Sequence, residues 1–176
     1  KHLKLIWHYA RGIAFVRKNN IKEAKEELEA LKLLKNDPEL ETVVANYTNP
    51  SSSIARIAYG VVSGEIANAE GNLPEALEHL KQAVFYEDQL IYSEPTAWHI
   101  PVRQTLGAAL LKAKKYEEAE KVYKEDLDIV RQNGWSLIGL HESLIGQGKL
   151  EEAKKIKQEF DNAWEHADIP IKTSVL

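Results

Sequence analysis

The chain has 176 residues, 44% hydrophobic and 28% charged, with 23 Lys and Arg against 27 Asp and Glu and a net charge of −4. That make-up suits one soluble domain with a sizeable core; four Trp separate it from disordered chains, and the lack of any basic block argues against nucleic acid as a partner. The absence of Cys excludes disulfides, thiolate metal sites and cysteine nucleophiles, and no apolar run approaches the roughly 18 to 20 residues that span a bilayer.

Apolar residues at Leu5, Ile6, Tyr9, Ile13 and Val16 recur at three- and four-residue steps and predict a helix over 3–18. Ile21, Ala24, Leu28, Leu31 and Leu34 predict its partner, so residues 3–35 make a first hairpin. The connector 36–52 holds Pro38 and Pro50, with a short helix expected over 39–47. Ser51, Ser52 and Ser53 are expected to cap the helix that follows, because a Ser side chain accepts from an orphan backbone N–H. Residues 53–70 are rich in small side chains, among them Ala58, Gly60, Gly64 and Ala67, which let a neighbouring helix approach. Their partner is 73–92, with Pro74 tolerated in its first turn, so the second hairpin is 53–92. After a turn at 93–97, segments 98–113 and 116–132 form the third hairpin, with Asn133-Gly134 as its C-terminal stop. Segments 135–147 and 150–167 form the fourth, and the tail 168–176, with Pro170, is expected to be extended. The expectation is one all-α domain of eight main helices with no strand.

One short phrase recurs through these hairpins. Ile21-Lys22-Glu23-Ala24, Leu73-Pro74-Glu75-Ala76, Tyr116-Glu117-Glu118-Ala119 and Leu150-Glu151-Glu152-Ala153 each begin a second helix. Each follows a polar break, at Asn19-Asn20, Gly71-Asn72, Lys114-Lys115 and Gly148-Lys149. A break recurring between helices is the mark of a stacked array of helical hairpins. Gly12, Gly64 and Gly107 on the first helices are expected to meet the Ala of the second, with Ala76 and Ala119 buried on Gly64 and Gly107.

These features resemble the tetratricopeptide repeat (TPR) family: a tiny residue on the first helix, Gly or similar at the turn, a large apolar residue two positions on, and Ala three further. The resemblance implies a right-handed superhelical array of about four hairpins that presents a concave groove to a partner. Only the last interval, Ala119 to Ala153, matches the family's repeat of about 34 residues. The first two intervals are longer, and the family's Trp is replaced by His8, Gly60, Arg103 and Leu137. Trp7-His8-Tyr9-Ala10-Arg11-Gly12, Glu94-Pro95, Trp98, Pro101-Val102-Arg103, Leu106-Gly107-Ala108-Ala109-Leu110-Leu111 and Asn133-Gly134-Trp135-Ser136-Leu137 also resemble the C-terminal half of large bacterial TPR proteins. With no Met anywhere and a helical pattern from Lys1, the chain reads as a piece of a longer protein, of the bacterial cytoplasm or an extracytoplasmic space.

The candidate site is a doubled dipeptide. Trp7-His8 is followed by Arg11, and Trp98-His99 by Arg103, each pair at the start of a hairpin's first helix. Trp135 opens the fourth hairpin, with His141 and Glu142 beyond it. Gathered on one groove, these residues would suit an anionic or aromatic ligand, since Arg forks a carboxylate and Trp supplies a flat wall. The competing reading has the rings packing between hairpins and the His and Arg groups tying helix ends together. No close spacing of ligands suggests a metal, no cofactor is expected, and no nucleophile neighbours a base. Glu23, Glu26, Glu27 and Glu29 alternate with Lys22 and Lys25 as on a solvated face. The expected function is a non-catalytic module or scaffold that binds a protein or peptide, acidic where the Arg residues meet it. Pairing with a second copy, or packing on a missing N-terminal repeat region, is also expected of such a surface. The alternative is the C-terminal lobe of a larger protein that binds a small molecule or metal, or is an enzyme, with chemistry supplied by that N-terminal part.

Overall fold

The polar breaks determine the local architecture, because each places one residue where a helix turns back on itself. A computed structural model describes residues 1–45 and 48–175. In chain order it contains α1 (His2–Arg17), α2 (Ile21–Lys35), α3 (Glu39–Thr42), β1 (Val44–Ala45), β2 (Asn49–Pro50), α4 (Ser51–Ala69), α5 (Leu73–Asp88), α6 (Val102–Lys112), α7 (Tyr116–Ile129), α8 (Gly134–Gly146) and α9 (Leu150–Ala163). Between the paired helices, Asn19, Gly71, Lys114 and Gly148 adopt φ of 59°, 81°, 57° and 74°. The residue after each donates its amide to a carbonyl five positions back: Asn20 to Phe15 at 2.9 Å, Asn72 to Ala67 at 2.9 Å, Lys115 to Leu110 at 2.9 Å and Lys149 to Leu144 at 3.0 Å. All four turns are thus Schellman caps, which satisfy the last carbonyls of one helix and launch the next. Ala24, Ala76, Ala119 and Ala153 are all fully buried one turn later.

The chain divides into two compact units, Lys1–Val102 and Arg103–Leu176. In the first, α4 packs against α1, α2 and α5. Its sequence is apolar almost all round, as a helix enclosed on several sides requires, and Ile54, Ile57, Ala58 and Val62 are fully buried. In the second, α8 packs against α7 and α9. Leu137, Ile138 and Phe160 form a core cluster there, joined by Trp164 and Ile171.

Several expectations change. The connector carries α3, shorter than the expected span 39–47, of which Asn46 and Tyr47 lie outside the described residues. It also carries an unexpected two-residue antiparallel ladder, β1 with β2. Asn49 is buried there and exchanges two hydrogen bonds with the Ile91 backbone, Nδ2 to the carbonyl at 2.8 Å and amide to Oδ1 at 2.7 Å. Ser51 does not cap α4; its Oγ meets His2 Nδ1 at 3.0 Å. Asn133 does not close α7, which ends at Ile129, but caps α8, its Oδ1 accepting from the Trp135 amide at 3.0 Å. Gly64 does approach Ala76, whose carbonyl would lie 3.2 Å from a Cβ there, but the nearest side chains to Gly64 and Gly107 lie one turn beyond the repeated Ala. A Cβ on Gly64 would lie 2.6 Å from Leu80 Cγ, and one on Gly107 would lie 2.3 Å from Tyr123 Cζ. Among the described residues no helix is long and apolar enough to cross a membrane.

Candidate functional site

The two Trp-His dipeptides occupy different environments. Trp7 and His8 lie inside α1, whereas Trp98 and His99 precede α6, which starts only at Val102. Trp7 is 51% exposed and Trp98 only 4%. Trp98 packs edge-on against Tyr9 at 4.8 Å, with His99 5.5 Å from the same Tyr ring. This pair is an aromatic contact within the first unit, and burial holds the His99 imidazole below the ordinary histidine range.

Trp7, His8 and Arg11 are brought together by helical spacing around a residue that the sequence pattern places on the solvated face. Glu27 of α2 is buried, and His8 Nδ1 stands 2.6 Å from its Oε2. Arg11 Nε donates to Oε1 at 2.7 Å. The Arg11 guanidinium also lies 4.2 Å from the Trp7 ring centroid, within cation–π range. Half of the proposed cationic site is therefore already occupied by a carboxylate of its own hairpin. The signal for Glu27 was present. It falls three residues after Ala24 and four before Leu31, in the seam that buries both. A second tie in this unit joins Arg17 Nη1 to buried Glu65 at 2.5 Å. Burial, then the Glu65 charge, pushes the nearby Tyr9 hydroxyl up to about 12.

The remaining candidates belong to the second unit and have separate partners. Arg103 is nearly buried, with Nε 3.5 Å from Glu125 Oε2. Trp135 is half-buried and packs edge-on against Trp164 at 5.8 Å. His141 Nδ1 donates to the Ala153 carbonyl at 2.9 Å, tying α8 to α9. Glu142 is exposed.

A buried polar system in the same unit escaped the sequence pattern. Asp126 stands seven residues after Ala119, the place that Leu31, Ala83 and Phe160 hold in the other second helices. It accepts a hydrogen bond from Ser136. Burial raises the Asp126 carboxyl, opposed by hydrogen bonds from Ser136 and Gln104 and by the Arg103 charge. Ser136 is fully buried, so no substrate reaches it. The Tyr123 ring enters between Gly107 of α6 and Gly139 of α8, where a Cβ on either would lie within 2.3 Å of it. Its hydroxyl meets Ser174 Oγ at 2.6 Å, and Ser174 Oγ donates to the Gln104 carbonyl at 3.1 Å, so the tyrosine is the donor. Among the described residues no three His, Asp or Glu side chains are grouped to hold a metal ion.

No protein-family description matches the chain, and no curated protein matches it in sequence. Solved structures do match in shape. A Podosopora anserina protein described as a kinesin light chain of nearly identical TPR-like repeats superposes with a TM-score of 0.66 at 18% identity, over 95% of this chain and 78% of that one. A variant of the same protein gives 0.66 at 18% over 96% and 79%. MamA protein gives 0.50 at 13% over 96% and 97%. At these identities the likeness shows the fold: this chain has the all-α, TPR-like helical-repeat fold.

Proposed function

We propose that the chain is a non-catalytic module that binds a protein or peptide partner, and that one contact surface is the outer stripe of α1. Leu3, Trp7 and Arg11 follow one another at four-residue steps, so they line a single side of that helix. The observation that carries the reading is Trp7, half in solvent beside a cation while the matching Trp98 is buried. A large aromatic left exposed next to Arg is the composition of an interface anchor. The stripe runs from apolar Leu3 to cationic Arg11, which suits a peptide with an apolar side chain followed by a carboxylate. Glu27 engages Arg11 through Nε, which leaves the terminal guanidinium nitrogens to meet such a carboxylate.

Selection from a random peptide library on the immobilised full chain tests this. The expected outcome is peptides that pair an aromatic or aliphatic residue with Asp or Glu. Their affinity should fall by roughly tenfold or more in Trp7→Ala, as for an interface anchor, with an unchanged melting temperature. Selected peptides that bind Trp7→Ala as well as the parent would remove α1 as the surface. Failure to select any peptide would count against the binding reading as a whole.

A further inference from the structure

The described end of the chain lies across the second unit like a bound peptide. Trp164 Nε1 donates to the Ile169 carbonyl at 2.6 Å. Ile171 packs against the cluster of Leu137, Ile138 and Phe160. Ser174 is 2% exposed, although it belongs to a segment without regular secondary structure and Lys172 and Thr173 beside it are exposed. Its hydroxyl is held from two elements, by Tyr123 of α7 and by the Gln104 carbonyl of α6. The Tyr123 ring reaches it through the gap left by Gly107 and Gly139, so Ser174 sits on the face formed by α6 and α8, away from the body of α7.

We propose that the surface formed by α6, α8 and the end of α9 is a peptide-binding site whose intramolecular occupant is the segment 169–175, and that a partner peptide exchanges with it. The occupant defines the ligand chemistry. It is an extended peptide with a β-branched aliphatic residue three positions before a small hydroxyl residue, as in Ile171-Lys172-Thr173-Ser174. The aliphatic side chain takes the pocket beside Phe160, and the hydroxyl bridges Tyr123 and Gln104. The two side chains between its anchors, Lys172 and Thr173, face solvent, which is how a peptide is held in a groove, in contrast to a core segment buried on all sides. A tethered segment competes at an effective concentration on the order of millimolar, so the site is masked from weak ligands and open to stronger ones. The inference rests on the reading of the chain as a peptide-binding module, at a second and separate surface.

The test uses the full chain and a fluorescent peptide with the sequence of residues 168–175. The parent chain should bind it weakly. The double variant Ile171→Glu, Ser174→Glu, whose own segment no longer fits, should bind it roughly tenfold tighter or more, because the internal competitor is removed. Tyr123→Phe added to that variant should weaken the peptide again, and a peptide carrying Glu in place of Ser174 should bind none of the chains. Equal affinity of the parent and the double variant overturns the proposal. So does cooperative unfolding of the double variant, and of the milder Ser174→Gly, below the assay temperature, since the segment would then be part of the unit's core. The outcome is independent of Trp7. Library peptides that need Trp7 and ignore the double variant would leave the general reading standing and remove this one. Exchange at Tyr123 with no Trp7-dependent ligand would do the opposite.

Discussion

Tyr123 fills the space that a side chain on Gly107 would take: a Cβ there would lie 2.3 Å from the ring's Cζ. Gly139 approaches the same ring from α8 at 2.2 Å. The ring is wedged between two helices and cannot swing clear of either. Gly107→Ala and Gly139→Ala should therefore each lower stability by about 1–3 kcal/mol, the usual cost of overpacking. Combining either with Tyr123→Leu should recover part of the loss, because the smaller side chain vacates the tip of the wedge. Chemical denaturation of the singles and doubles measures the coupling, and strict additivity would show that the two contacts are unconnected.

Glu27 is the shared acceptor of His8 and Arg11. Glu27→Ala should cost about 1–3 kcal/mol, because it strips two polar side chains of their partner and opens a hole between α1 and α2. Arg11→Ala should cost less, about 1 kcal/mol or under, since that side chain is 45% exposed and water replaces what is lost. Thermal unfolding of both variants checks the order. A larger loss in Arg11→Ala would show that its stacking on Trp7 outweighs the ion pair.

Lys114 holds a left-handed turn without being glycine, at φ of 57°. An L side chain there costs roughly 1–2 kcal/mol, part of which glycine returns through its greater flexibility in the unfolded chain. Lys114→Gly should raise stability by about 0.5–1 kcal/mol. Gly71→Ala, at φ of 81° with nothing within 4 Å of the new Cβ, should lower it by about 1 kcal/mol through backbone strain alone. Opposite signs at equivalent turns are the expected result, read as melting temperatures. A destabilised Lys114→Gly would mean that the lysine side chain has a role its backbone does not reveal.

Glu120 links α7 to the turn between α8 and α9. Lys124 reaches it at 2.5 Å, Lys149 at 2.7 Å and Gln147 at 2.7 Å. These partners, Lys124 first, hold its carboxyl down to about 2 from an ordinary 4.5. A carboxyl lowered on folding stabilises the folded state above its unfolded value and loses that contribution as pH falls through its folded value. The stability difference between the parent and Glu120→Gln should therefore be full at pH 7 and shrink as pH falls from about 4.5 towards 2. A difference that stays constant across that range would show that Glu120 acts through hydrogen bonding rather than charge.

The local plan was legible in the sequence because it depends on neighbours along the chain. A helix needs its apolar residues at three- and four-residue steps, and a Schellman turn needs one residue able to take positive φ. Asn19, Gly71, Lys114 and Gly148 are all written at the four breaks before the repeated Ala. The environments of the candidate side chains depend on residues far away in sequence. Trp7 and Trp98 begin the same dipeptide, yet Tyr9 covers one ring while the other keeps half its surface in water, a difference that only packing creates. Glu27 reads as a member of a charged helix face and Asp126 stands out by no pattern; burial beside His8 and Arg11, or beside Ser136 and Gln104, gave them their roles. Ser174 carries no pattern at all. Its burial follows from a tyrosine threaded between Gly107 and Gly139, which stand on different helices, and no local period encodes that meeting.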